Sequence, residues 1–270
     1  MLRFFVSFAL ENQFKIMLID THCHIYLKDF DEDRKEMLAK AENEGVKLFL
    51  MPAIDKITYQ LMRDVEKSYP GKCLAMMGLH PCSVKQGFED EIAFVEKKLS
   101  ESKFIAIGEI GLDFYWDKTF IDEQYVAFQQ QIELALKHSL PIVIHSRNSI
   151  DECIQVVKQN QKGNLKGVFH CFSGNKEQAG QITDLGFYLG IGGVITFKNS
   201  GLDKVVKEVE MKHIVLETDS PYLAPVPFRG KRNECSYLKF VVEKLAEIKN
   251  ISREEIADIT TNNAKELFSI

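Results

Sequence analysis

Leu18-Ile19-Asp20-Thr21-His22-Cys23-His24 reads as a short apolar strand that ends in a His-x-His pair. Side chains two apart on a strand share a face, so His22 and His24 point one way and Cys23 the other. Two imidazoles at a strand end suit a divalent metal, for which histidine is a favoured ligand. Alone, the pair is a weak signal, and two ordinary histidines at a strand end is the favoured reading. Its meaning depends on what the rest of the chain places beside it.

The same pattern recurs outward from this stretch. Apolar runs of strand length lie at 18–22, 46–52, 73–78, 104–108, 142–145, 167–170, 187–190 and 214–217. Stretches with charges at helical spacing separate them, at 34–44, 59–68, 91–100, 123–138, 150–159, 176–185 and 203–209. Two more helices follow, at 237–249 and 253–268, the second capped by Ser252 with Glu255 three residues on. Near-continuous apolar strands imply burial on both faces, as in a parallel sheet. Eight strands alternating with helices predict an α/β fold of the (β/α)8 TIM-barrel type, in a single domain. The alternative is an open doubly wound sheet, but no glycine-rich phosphate fingerprint follows the first strand.

Composition bounds the function. With 270 residues and 45% hydrophobic content the chain can bury a large core. Its formal net charge of −5 gives no global basic signature of nucleic-acid binding. Bound metal ions would nevertheless supply positive charge that a residue count misses. The six cysteines, Cys23, Cys73, Cys82, Cys153, Cys171 and Cys235, are scattered without a CxxC pair, which suits a reducing cytoplasm. The apolar run 2–10 is too short to span a bilayer and lacks a clear small-residue cleavage site. Residues 1–16 are read as an extension outside the core, with the barrel over 17–270. No protein partner is legible.

The polar residues that bear chemistry fall at one place in each unit. His22 and His24 follow the first strand, Gly78-Leu79-His80-Pro81 the third, and Gly108-Glu109-Ile110-Gly111-Leu112-Asp113 the fourth. His145-Ser146-Arg147 closes the fifth, His170-Cys171-Phe172-Ser173-Gly174 the sixth, and Glu217-Thr218-Asp219-Ser220-Pro221 the eighth. In a parallel barrel these ends meet at the C-terminal rim, where barrel enzymes keep their chemistry. Singly, each residue has a structural explanation: a buried histidine, a capping carboxylate, a turn aspartate. Jointly, His22, His24, Glu109, His145, His170 and Asp219 make a metal site, with one or two divalent ions such as Mg²⁺, Mn²⁺ or Zn²⁺. Glu109 suits a bridge between two ions; His22, His24 and Asp219 complete the first site, and His145 and His170 the second. Ions about 3.5–4 Å apart can hold a phosphate and activate water, and Asp219 can also accept a proton.

His80 lacks a matching metal partner and is expected to contact substrate phosphate. Arg147 follows His145 by two and can point the same way. The basic loop Phe228-Arg229-Gly230-Lys231-Arg232-Asn233 adds Arg229 as a candidate contact to a polyanion.

These motifs resemble the TatD family of metal-dependent deoxyribonucleases, within the amidohydrolase-like metal barrels. The likeness runs from Met17 to the C-terminus and includes Asp20-Thr21-His22-Cys23-His24, the strand-end motifs above, Tyr222-Leu223-Ala224-Pro225, Arg229-Gly230-Lys231-Arg232-Asn233-Glu234 and Asn263-Ala264. It implies a (β/α)8 barrel, one or two divalent metals and phosphodiester hydrolysis, with 3′-to-5′ exonuclease action on DNA. Asn148 stands where the family often has Asp, and Cys235 where proline commonly follows Asn-Glu, a change expected to loosen the substrate loop. Two other functions compete. One keeps the metals but hydrolyses an amide, lactone or aminoacyl ester; such barrels often bridge their metals with a modified lysine, where this chain has Glu109. The other is a noncatalytic nucleic-acid-binding protein, whose mark would be lost ligands, and none is lost.

Overall fold

A computed structural model describes residues 16–270. Its apolar runs form eight parallel strands: β1 (Leu18–Asp20), β2 (Val46–Met51), β3 (Cys73–Ala75), β4 (Ile107–Asp113), β5 (Ile142–Arg147), β6 (Gly167–Phe169), β7 (Tyr188–Ile191) and β8 (Ile214–Leu216). Helices alternate with them: α1 (Arg34–Asn43), α2 (Tyr59–Ser68), α3 (Glu89–Glu101), α4 (Ile121–His138), α5 (Ile150–Asn160), α6 (Lys176–Asp184) and α7 (Leu202–Glu208), with α8 (Leu238–Lys249) and α9 (Arg253–Phe268) after β8. The strands pair in sequence order as β1-β2-β3 and β4-β5-β6-β7-β8. Two seams join these sets into a barrel. At one, Met77 bridges Ile107, and Gly108 N–H donates to Met77 O at 3.0 Å. At the other, Cys23 bridges Ser220 and Thr21 N–H donates to Leu216 O at 2.9 Å. The expected (β/α)8 architecture is the one observed. The proposed extension falls almost wholly outside the described residues; its last residue, Ile16, is half-buried against the core.

Alternation along β5 shows how the core divides. Ile142 and Ile144 pack outward with the helices, while Val143 joins Ile19, Leu50, Met76, Ala106, Val168 and Val215 inside the barrel. Ala264, Leu267 and Phe268 of α9 belong to the same inner cluster. Ser252 Oγ accepts Glu255 N–H at 3.1 Å to start α9. The side-chain amide of Asn263 then donates to Met211 O and Ile214 O, pinning the helix to the start of β8.

The main departure from the sequence reading is β4, which continues through Glu109 to Asp113 instead of stopping at Gly108. Glycine normally weakens a strand, but here it is required. Gly111 has φ +137°, and a Cβ on it would meet the His145 carbonyl oxygen at 2.1 Å. The bare backbone lets β5 approach, which draws His145 beside Glu109.

Candidate metal centre

His22 and His24 lie just past the last residue of β1, on a bend rather than in a regular strand. Their side chains still converge, with Nε2 atoms 3.3 Å apart, while Cys23 Sγ turns away to the Leu50 carbonyl. The cause is the seam. Asp219 N–H donates to His22 O and His24 N–H to Ser220 O, fixing the first strand end against the eighth. Asp219 takes a left-handed backbone (φ +58°), a conformation aspartate tolerates better than most residues, and its Oδ1 lies 3.8 Å from His22 Nε2 and 3.6 Å from His24 Nε2.

Glu109 sits at the middle, 2% exposed. Its Oε2 faces His22 Nε2 at 3.1 Å and His24 Nε2 at 3.5 Å. Its Oε1 faces His145 Nδ1 at 2.9 Å, His80 Nε2 at 3.4 Å and His170 Nε2 at 3.5 Å. The His170 ring also stacks on His22, centroids 3.5 Å apart. The six expected ligands are thus brought to one buried place on the C-terminal rim.

The network fixes the tautomers of His24 and His80 and orients His145. Tyr26 hydroxyl donates to Pro52 O at 2.7 Å, so it accepts from His24 Nδ1 at 3.1 Å. That leaves a lone pair on His24 Nε2, aimed at Glu109 and Asp219. His145 faces a carboxylate with each nitrogen, Nε2 to Asp113 Oδ2 at 2.8 Å and Nδ1 to Glu109 Oε1 at 2.9 Å, so Asp113 holds the ring with Nδ1 aimed at Glu109. His80 differs: its Nδ1 accepts Cys82 N–H at 3.0 Å, so its Nε2 is the N–H and is directed at Glu109. His80 therefore reaches the cluster, closer than its sequence context suggested, but as a hydrogen-bond donor.

Electrostatics follow from burial and these neighbours. Burial would raise the Glu109 carboxyl, but His80, His22 and His170 and the His145 hydrogen bond hold it well below the usual range. Burial pushes Asp219 up to about 6 against the pull of His170 and His24. Burial disfavours charge on His170, yet Glu217 and Glu109 lift it to about 10. Burial and the adjacent His170 hold His22 well below its ordinary value.

The donor set fits a divalent cation. His22 Nε2, His24 Nε2, Glu109 Oε2 and Asp219 Oδ1 converge, four donor atoms of the kinds a divalent cation takes. His22 Nδ1 is buried without a hydrogen-bond partner among the described residues. Imidazole and carboxylate together suit Zn²⁺-, Mn²⁺- or Ni²⁺-like ions.

Five supporting side chains, Glu217, Asp113, Gln124, Gln131 and Tyr26, escaped the sequence reading. Glu217 Oε1 lies 3.0 Å from His170 Nδ1 and accepts Cys171 N–H at 2.5 Å. Gly190 makes room for it, since a Cβ there would meet Glu217 Oε2 at 2.3 Å. Asp113 orients His145, and two buried glutamines two turns apart on α4 hold the neighbouring backbones. Gln124 pairs with the Asp113 main chain and Gln131 with that of Leu79, next to His80. The i, i+7 spacing of these glutamines was the available signal. Tyr26 is the last of the five: a buried hydroxyl whose role only the fold reveals.

Two candidates do not contact the cluster. Arg147 stacks over Tyr115 at 4.0 Å. Arg229 stacks over Phe197 at 4.0 Å, in a groove of about 580 Å³ also lined by Ser173, Lys198 and Asn199. Within the same basic loop, Arg232 is spent on Asp33 and on the Asp29 carbonyl. Cys235 is fully buried with its Sγ 3.4 Å from Ser220 Oγ, so it packs the loop rather than loosening it.

A family model described as TatD related DNase matches residues 19–269. The metal-dependent hydrolase YabD of Bacillus subtilis is 40% identical over 94% of this chain and 100% of its own length. The metal-dependent hydrolase YcfH of Escherichia coli K12 is 32% identical over 94% of this chain and 97% of its own. Among solved structures, the TatD homolog YJJV of Escherichia coli K12 superposes with a TM-score of 0.88, at 29% identity over 94% of this chain and 98% of that one.

Proposed function

The chain belongs to the TatD-related DNase family of metal-dependent hydrolases, and on that footing we propose that it hydrolyses phosphodiester bonds in DNA as a 3′-to-5′ exonuclease on single strands. The division of the Glu109 carboxylate carries the reading: Oε2 faces His22 and His24, while Oε1 faces His145 and His170. His22, His24, Glu109 and Asp219 would hold a first divalent ion, and Glu109, His145 and His170 a second. When bound, such ions supply Lewis-acid activation of the phosphodiester and of water.

The chain's own residues do the rest. Asp219 Oδ2, the oxygen not turned to His22 and His24, accepts a proton from the attacking water. His80 Nε2–H donates to a phosphate oxygen, and the Arg147 and Arg229 guanidiniums attract the strand. Asp113, Glu217 and Tyr26 keep the imidazoles in the ligating tautomer and orientation. Water oxygen joins phosphorus, the bond from phosphorus to the 3′ oxygen breaks, and that oxygen takes a proton. Incubation with 5′-labelled single-stranded DNA and Mg²⁺ or Mn²⁺ should give shortening from the 3′ end, abolished by Asp219→Asn. Intact DNA, or shortening that survives Asp219→Asn, overturns the reading.

A further inference from the structure

Beyond β4 the backbone makes a tight turn that holds two aromatic rings out at the rim. Tyr115 is 51% exposed and Trp116 67% exposed, a degree of exposure that folding does not reward. The turn is built for it: Asp113 Oδ1 accepts both the Tyr115 N–H at 2.9 Å and the Trp116 N–H at 3.0 Å. The other oxygen of the same carboxylate holds His145 Nε2 at 2.8 Å. One side chain thus fixes both a proposed metal ligand and the aromatic pair. Only the Glu109–His145 and His145–Asp113 bonds separate the bridging carboxylate from that turn.

Arg147 completes the group. Its guanidinium lies 4.0 Å from the Tyr115 ring centroid and 5.3 Å from that of Trp116. The two rings are nearly perpendicular, 85° apart, and with Arg147 against Tyr115 most of the indole remains exposed. No ion pair holds Arg147 among the described residues; its guanidinium lies against the two rings. An unpaired cation stacked beside an exposed aromatic pair matches a nucleotide, with its anionic phosphate and flat base. Stacking surfaces of this kind tolerate any base.

We propose that Tyr115, Trp116 and Arg147 form a stacking subsite for a nucleobase of the single-stranded substrate, adjoining the Glu109 centre. This rests on the nucleic-acid reading above. Trp116 is the chain's one tryptophan, so its emission reports on the subsite alone. The test titrates the full chain, in Mg²⁺, with a phosphorothioate-linked oligothymidylate that resists hydrolysis, and with an abasic strand of equal length. Emission should be quenched saturably by the first and little changed by the second. For hydrolysis of ordinary single-stranded DNA, Trp116→Ala should raise KM by about 5- to 100-fold, and Trp116→Phe should restore most of the loss. Equal quenching by both strands, no quenching, or an unchanged KM in Trp116→Ala overturns the subsite. If DNA is cleaved while emission is silent, the subsite fails and the nuclease reading stands. Base-dependent quenching without cleavage supports the subsite and removes the nuclease; absence of both removes both.

Discussion

Two layers of the same barrel differ by two or three residues along each strand. In the lower layer, Ile19, Ala106, Val143, Val168 and Val215 fill the interior with apolar side chains. In the upper, His22, Glu109, His145, His170 and Glu217 continue the same strand ends with ionisable ones. Burial hardly separates the layers: Leu50 and His22 are both 0% exposed, and His170 only 5%. Packing satisfies one, and only mutual charge and hydrogen bonding satisfy the other. Such a polar layer is costly to bury unless partnered. The fold tolerates it because the apolar layer beneath supplies the stability that the site forgoes.

Glu109→Gln tests the upper layer most severely, because it keeps the volume and removes the charge. Hydrolysis of labelled DNA should fall by at least about 10³-fold, with the circular-dichroism spectrum unchanged. Leu50→Ala is the counterpart below. Urea unfolding should show a loss of about 2–5 kcal/mol, while hydrolysis per folded molecule stays close to the parent. A variant that reversed these outcomes would erase the distinction between the layers.

Divalent ion should act on the upper layer alone. Zn²⁺ or Mn²⁺ at about a hundred times its dissociation constant should stabilise the fold by about 2.7 kcal/mol, read as a rise in Tm of about 5–10 °C. The rise should persist in Leu50→Ala and vanish in Glu109→Gln. Asp113→Asn sharpens the comparison further, since it loosens His145 without removing a ligand. Activity or metal affinity should drop about 10- to 100-fold. Smallest of all is a surface pair away from both layers. Arg232→Ala breaks the contact to Asp33 and should cost under about 1 kcal/mol. Arg232 holds the Asp33 carboxyl below its ordinary value, so the pair contributes above the ordinary pKa of 3.8 and its contribution is lost as pH falls through the lowered value. Denaturation midpoints of parent and variant should therefore converge in acid.

The apolar layer and the strand–helix alternation were legible because periodicity is local. The ligand set was legible for a related reason: each histidine or carboxylate stands at a strand end, and a parallel barrel gathers strand ends. What escaped is the support beneath them. Gly108 and Gly111 look like strand breakers, so the sequence ends the fourth strand at Gly108 and gives Asp113, in the motif that follows, no role. The approach of the His145 carbonyl to Gly111, which explains that glycine, exists only between two strands. Glu217 and Tyr26 carry no motif that marks them as partners of His170 and His24. The sequence sets His80 apart from the metal ligands for want of a matching partner, whereas the physical reason is its tautomer, set by the Cys82 amide.

The Asp20–Thr218 contact has a consequence for how the protein is made. Asp20 accepts both the Thr218 N–H at 2.9 Å and its hydroxyl at 2.6 Å, across 198 residues of sequence. A nascent chain emerging from the ribosome would present His22 and His24 early and hold them without Asp219 until just over four-fifths of these 270 residues had been synthesised. Contacts of such long separation form late and set the pace of folding. The centre is therefore assembled by the last turn of the barrel, and ion capture belongs to the finished molecule rather than to the growing one.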